Sequence, residues 1–438
     1  MMELKKLDEE LVFHSFRPYN PNQTMLIEEA KGVYIFDSKG EKYLDGMAGL
    51  WCVNVGYGRD ELAEAAYKQL KKMPYYPLTH THETVIKLAE KLTSWLEDDY
   101  VYIFSNSGSE ANETAFKLAK QFHDQNGDHH RHKIISRYRG YHGNTFGALA
   151  ATGQAQRKFK YEPLGSNFIH IPPPDSYRAP QVDTVEYLDQ IMTWELSETI
   201  SAFIMEPIIT GGGILMPPED YLSRVEQVCK KHGALLIIDE VICGFGRTGK
   251  KFGFQHEHVR PDIVTMAKGL TSGYLPLSVT AIKRDIFEKF KGQEKYDYFR
   301  HINTFGGNPA ACAVALENLS IMENENLVEK SAILGREALA ILTTNLSEIR
   351  IVGDIRGKGL LIGIEMVEDQ TTKKPVTEEV LNKIVNYCKN ENVLIGKNGA
   401  TVNGFNNIIA LSPPLIISRD ELHHLLDTVI DAIKNVVE

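Results

Sequence analysis

Lys268 closes the apolar run DIVTMA and is followed by Gly269. An amine is a nucleophile only when it has lost its proton, and burial lowers its pKa toward that state. Asp239 ends a second apolar run, ALLIID, two residues before Val241. A carboxylate there can keep a pyridine nitrogen protonated, so that the ring draws electrons from a bound substrate. Ser107, Gly108 and Ser109 follow a third run, VYIFS, and open a helical pattern. Backbone N–H groups at a helix start bind phosphate, and glycine lets the anion come close. Tyr141 and His142 stand in RGYHG after a fourth run, KIISRY, and Glu206 ends a fifth, AFIM. Taken singly, each residue has a plainer reading: a lysine stem lying on apolar surface, a strand-end aspartate capping a turn, a serine N-cap, a rim aromatic. Together they offer a phosphate site, a stacking ring, a pyridinium partner and a Schiff-base amine, the set that pyridoxal 5′-phosphate requires.

Short apolar runs must place these groups on one rim. With LSVTAIK as a sixth, the runs alternate with helical patterns such as EANETAFKLAKQFH, where Ala111, Ala115, Leu118, Ala119 and Phe122 share a face. That alternation predicts an α/β fold, a central mostly parallel sheet with helices on both faces. In such sheets ligands bind beyond the carboxyl ends of the strands. KGVYIFDSKGEKYLDG predicts a hairpin turning at Ser38–Gly40, and the C-terminal part mixes helices with GKGLLIGIEM and NIIALS. The chain is therefore read as a large domain, residues 67–314, and a small α+β domain built from both termini, residues 1–66 and 315–438.

Other features set limits. With 48 basic and 58 acidic residues the net charge is −10, which argues against a nucleic-acid or anionic-membrane surface. Five scattered cysteines without a CxxC pair point to a reduced, cytoplasmic protein with no disulfide framework. No metal site is expected, since the clustered His123, His129, His130 and His132 read as a solvated loop. MMELKKLDEE shows no apolar leader and no run suggests a membrane span. Gly244-Phe245-Gly246-Arg247-Thr248-Gly249 matches a dinucleotide-loop pattern. It lies several residues beyond the strand and opens no amphipathic helix, both of which count against that reading.

IIDEVICGFGRTGKKFGFQ followed by PDIVTMAKG resembles the signature of class-III (ω-type) aminotransferases. YLDGMAGLWCVNVGYG, FSNSGSEANETAFKLA, GYHGNT, NTFGGNPAACAVAL and GKGLLIG extend the resemblance over about residues 30 to 420. It implies a pyridoxal-phosphate enzyme of fold type I, a homodimer or dimer of dimers with active sites at the subunit interface. Lys268 would then hold the cofactor covalently, Asp239 partner the pyridine nitrogen, and Val241 and Tyr141 pack on the ring. Gly108 and Ser109 would bind the phosphate, with Thr304 reaching it from the neighbouring subunit. Glu206 would lie near the cofactor and Trp51 would line the substrate pocket. The likeness is greatest to the branch that uses β-alanine, taurine or other ω-amines with pyruvate. It implies small-molecule partners, an amine donor and a keto acid acceptor, in a ping-pong reaction. One departure bears on the acceptor: many relatives that use α-ketoglutarate carry an arginine three residues before a Pro-Pro pair near the C-terminus, and here Ala410 precedes Pro413-Pro414. Lys397 or Arg139 are the candidate replacements. Alternatives are a mutase or decarboxylase on the same cofactor residues, an α-ketoglutarate-using transaminase, a nucleotide-dependent oxidoreductase on the glycine loop, and a non-catalytic binding protein.

Overall fold

The computed structural model describes residues 2–15, 25–398 and 401–437. The hairpin forms as expected. Strands β1 (Ile27–Lys31), β2 (Tyr34–Asp37) and β3 (Lys42–Asp45) pair antiparallel in order. Asp37 Oδ1 seals the turn by accepting from the backbone of Lys39 and Glu41, and Gly40 supplies the left-handed conformation (φ 82°) that the turn needs.

The central sheet has seven strands: β4 (Tyr100–Ser105), β5 (Lys133–Arg137), β6 (Phe168–Ile171), β7 (Ile200–Met205), β8 (Leu235–Asp239), β9 (Ile263–Met266) and β10 (Ser278–Lys283). Their order is β4-β10-β9-β8-β7-β5-β6. β10 alone runs against its neighbours β4 and β9, and the pairs from β9 through β6 are parallel. All residues of β7, β8 and β9 are buried, as expected of strands covered on both faces. This is the predicted mostly parallel α/β sheet; β6 and the direction of β10 are additions to it.

The helix Gly108–Gln125 covers one face. Its buried stripe includes Ala111, Ala115, Leu118 and Ala119, the spacing of an apolar helix face. A capping box fixes its start: Glu110 N–H donates to Ser107 Oγ, and Glu110 Oε2 accepts from Ser107 N–H.

The C-terminal part adds β11 (Val352–Gly357), β12 (Ile362–Met366), β13 (Val393–Leu394), β14 (Gly396–Lys397) and β15 (Ile408–Leu411). β11, β12, β15 and β14 form one antiparallel sheet, while β13 pairs parallel with β3. No helix of the described residues is long and apolar enough to cross a membrane.

Candidate active site

The strand ends bring the nominated groups to one region. Asp239 ends β8 and is 4% exposed. Its Oδ2 accepts from His142 Nδ1 (2.9 Å) and Asn112 Nδ2 (2.8 Å), and its Oδ1 accepts from Val241 N–H (3.1 Å). Thr265 Oγ1 in turn donates to Asn112 Oδ1, and Asn112 Nδ2 also reaches the His142 carbonyl. The carboxylate is thus fixed by groups from a helix, a loop and a neighbouring strand.

Lys268 follows β9 with φ 46°, an uncommon conformation for a residue with a side chain. Among the described residues its Nζ makes no hydrogen bond or ion pair, and it lies 5.7 Å from the centroid of the Trp51 ring. Burial is the largest influence on the amine and lowers its pKa, opposed by the thiol of Cys52 and the carboxylates of Asp239 and Glu206. Trp51 itself sits at φ 57° in a loop where Ala48 (φ 47°) and Gly49 (φ 66°) are also left-handed. Asp45 holds that loop by accepting from Met47 N–H, Gly49 N–H and the Tyr57 hydroxyl. The Trp51 indole Nε1 is buried without a partner among the described residues.

Around the helix start, Ser107 Oγ is used by the cap and Ser109 Oγ by Asn144 (2.9 Å). The backbone N–H groups of Gly108 and Ser109 have no protein acceptor among the described residues. A Cβ on Gly108 would lie 3.0 Å from Val241 Cγ2, so glycine leaves room between the helix start and Val241. Tyr141 N–H donates to Glu206 Oε1 (3.0 Å), while Thr210 N–H and hydroxyl donate to Oε2. Burial and nearby Asp239 raise the Glu206 pKa.

The remaining nominations are placed as follows. Thr304 is exposed and its carbonyl accepts from the Tyr75 hydroxyl (2.9 Å). His82 Nε2 meets the Gly307 carbonyl (2.8 Å) and steadies the same loop, a contact that no pattern in the sequence announces. Ala410 is buried in a small apolar cluster with Ile208, Ile214, Cys243 and Leu361, against which Trp51 packs. Arg139 Nη1 pairs with Asp175 Oδ2 (2.9 Å) and its Nε donates to the Gly212 carbonyl (2.8 Å). Lys397 Nζ bonds Glu378 and Asn382. Arg157, which the sequence reading did not single out, carries its guanidinium carbon 5.0 Å from the centroid of the Tyr141 ring.

The glycine-rich loop has a structural use. Residues 244–249 form turns, not a helix start. Arg247 is fully buried and donates to the carbonyls of Leu360 and Pro413 and to Asn54 Oδ1. It ties the segment after Trp51 to the segment after β15.

Glu240, beside Asp239, accepts from Gly253 and Phe254 N–H, yet burial pushes its carboxyl up to about 8. The folded state therefore binds this proton more tightly than the unfolded chain. Its contribution is full below the ordinary value of 4.5 and is lost as pH rises through about 8. Glu240→Gln does not titrate. Its melting temperature relative to the parent is expected to rise between about pH 5 and about pH 8; a constant difference would contradict this.

The set fits pyridoxal phosphate on observed grounds: an unpaired amine, an anchored carboxylate, and two unpaired N–H groups at a helix start with no side chain at Gly108 to block them. The model of the family described as aminotransferase class-III matches residues 16–433. The chain is 59% identical to an uncharacterised aminotransferase of Bacillus subtilis (strain 168), covering 99% of this chain and 97% of that one. It is 40% identical to a taurine–pyruvate aminotransferase of Bilophila wadsworthia, covering 97% and 95%. The crystal structure of a Bacillus anthracis aminotransferase superposes with a TM-score of 0.98 at 58% identity, covering 99% and 98%.

Proposed function

Since this chain belongs to the class-III aminotransferase family, whose members depend on pyridoxal phosphate, we propose that it moves the amino group of an ω-amino acid or amine to a small keto acid, pyruvate foremost. The observation that carries the reading is the unpartnered Lys268 amine in the field of the Asp239 carboxylate, itself anchored by His142 and Asn112. Pyridoxal phosphate, when bound, supplies a ring that accepts the electron pair left on the substrate Cα. Lys268 would hold it covalently through Nζ. Asp239, oriented by His142, would face the pyridine nitrogen and keep it protonated. Val241 and Tyr141 would enclose the ring. Ser107, Gly108 and Ser109 would form the phosphate end, the last two through their backbone N–H groups. Glu206 would fix the Tyr141 loop.

Lys268 Nζ would take the proton from the donor Cα as general base. In the return half-reaction it gives a proton to the acceptor carbon. Trp51 would line the pocket beside the amine, its ring centroid 5.7 Å from Nζ. The donor product leaves before the acceptor binds, giving ping-pong kinetics. Thr304 is proposed to reach the phosphate of a second copy in a homodimer or dimer of dimers. Exposed Tyr75, Tyr76, Ile302 and Phe305 near that loop are apolar surface that such a partner would cover. Arg139 enters as a wall of the pocket, since Asp175 and Gly212 engage its guanidinium. The two-domain division is also proposed; its junctions, 66/67 and 314/315, fall within the helices Asp60–Lys72 and Pro309–Asn324. A cytoplasmic location is part of the proposal, in keeping with the free cysteines.

Ala410 in its apolar cluster favours a short acceptor. The second carboxylate of a longer diacid would be buried there unpaired, at a cost of about 1.5–3 kcal/mol. A screen of taurine, β-alanine and simple primary amines against pyruvate and α-ketoglutarate is expected to give alanine, with kcat/KM for pyruvate at least about tenfold higher. Preference for α-ketoglutarate, or no alanine from any donor, would overturn the reading.

A further inference from the structure

We propose that His301 is a positioning residue for the cofactor phosphate: it ties the loop that carries Thr304 to the helix whose start forms the phosphate end of the site. The inference rests on the Thr304 reading above and deepens it, since a hydroxyl can serve the phosphate of a second copy only if its own loop is held in place.

One side of the helix Gly108–Gln125 grips the segment that leads to this loop. Thr114, Lys117, Gln121 and Gln125 follow one another at helical spacing. Gln125 Nε2 donates to the Asp297 carbonyl, and Gln121 Nε2 donates to the carbonyls of Tyr296 and Tyr298. Thr114 and Lys117 both meet the His301 ring: Thr114 Oγ1 lies 3.0 Å from Nε2, and Lys117 Nζ lies 2.8 Å from Nδ1. The partners fix the tautomer. The Thr114 hydroxyl donates to the Glu110 carbonyl, so its oxygen accepts from Nε2–H. An ammonium has no lone pair, so Lys117 donates to Nδ1. The imidazole is therefore neutral, with its proton on Nε2. Burial and Lys117 lower its pKa, against Glu110, which raises it. The ring also lies against Phe299, with centroids 5.3 Å apart.

His301 precedes Thr304 by three residues. Beyond Thr304 the loop is held from the other side. The Tyr75 hydroxyl donates to the Thr304 carbonyl, and His82 meets the Gly307 carbonyl. A Cβ on Gly306 would lie 2.2 Å from the Phe104 carbonyl oxygen, so the loop lies directly on the end of β4. Held at both ends, the loop presents an exposed Thr304. The two glutamines take backbone carbonyls, whereas the tie nearest Thr304 runs through a side chain. A substitution at position 301 thus releases that tie and leaves the others in place.

The test measures the dissociation constant of pyridoxal phosphate for the parent holoenzyme and for His301→Leu, Thr304→Val and the double variant. Thr304→Val is expected to weaken binding about ten- to a hundredfold, the loss of a hydrogen bond to a charged group. His301→Leu should weaken it about three- to tenfold. The double variant should bind no more than about twofold worse than Thr304→Val, because the imidazole acts through that hydroxyl. His301→Gln, which keeps a donor for Thr114, should recover most of the loss. Losses that multiply in the double variant, or parent-like binding in His301→Leu, would overturn the assignment. Should His301→Leu fail to fold, Lys117→Met, at an exposed position, breaks the same tie and enters the same cycle. Hydrogen exchange of the amides of residues 302–306 reads the tie without reference to the phosphate. It should quicken about threefold or more in His301→Leu, and unchanged exchange refutes the tie. Quickened exchange with parent-like binding in Thr304→Val would locate the failure in the Thr304 reading and overturn the positioning role with it.

Discussion

Lys268→Ala is expected to abolish amino transfer, lowering kcat by at least about 10⁴-fold, and to remove the visible band that borohydride bleaches. The side chain is asked to do two things that no neighbour can take over: hold the cofactor and carry the Cα proton. Among the described residues its Nζ has no hydrogen bond or ion pair, so alanine breaks no network and the fold should survive. Lys268→Arg separates charge from chemistry. A guanidinium keeps the positive charge beside Asp239 and Glu206 but cannot be deprotonated, so it should be as inactive as alanine. Activity in the arginine variant would mean that position 268 serves only as a cation.

Asp239→Asn carries the second large effect. Asparagine fills the same volume but brings no negative charge to the pyridine nitrogen, and His142 Nδ1 loses its carboxylate acceptor. Removing one preorganised charge from a dry site costs roughly 10²–10³-fold in kcat, and a loss of that size or larger is expected. Because Gly108 and Ser109 are untouched, the cofactor should remain bound and visible by its spectrum. A variant with near-normal kcat would show that the nitrogen is not held by this residue. Asp239→Glu should recover only part of the rate, because the longer side chain cannot keep both the His142 and Asn112 contacts in place.

Much of the positioning framework was legible because strand ends can be read from short apolar runs. VYIFS, KIISRY, AFIME, ALLIIDE and DIVTMAK lie on β4, β5, β7, β8 and β9, and chemistry-bearing residues follow each. Two features escaped for physical reasons. LSVTAIK alternates identically in either direction, so periodicity could not tell that β10 runs antiparallel. β6, Phe168–Ile171, is short and contains His170, too little pattern to register. At the site, the left-handed turn at Ala48 and Trp51 could not be anticipated, since those residue types rarely adopt it. Arg157 lies in a four-residue helix, AQRK, whose sequence gives no sign of its tertiary contact with Tyr141. Arg139 stands two residues from Tyr141 in sequence, yet at φ 67° its guanidinium is directed to Asp175. The glycine loop forms turns, and its use, burying Arg247 as a tie between distant segments, needed the packed structure.

The most direct test is to reduce the purified protein with borohydride, digest it and sequence the pyridoxyl-labelled peptide. A label confined to the lysine that follows Thr265-Met266-Ala267 is the expected result. A label on a different lysine, or an unlabelled digest from a protein that is active and cofactor-loaded, would contradict the account.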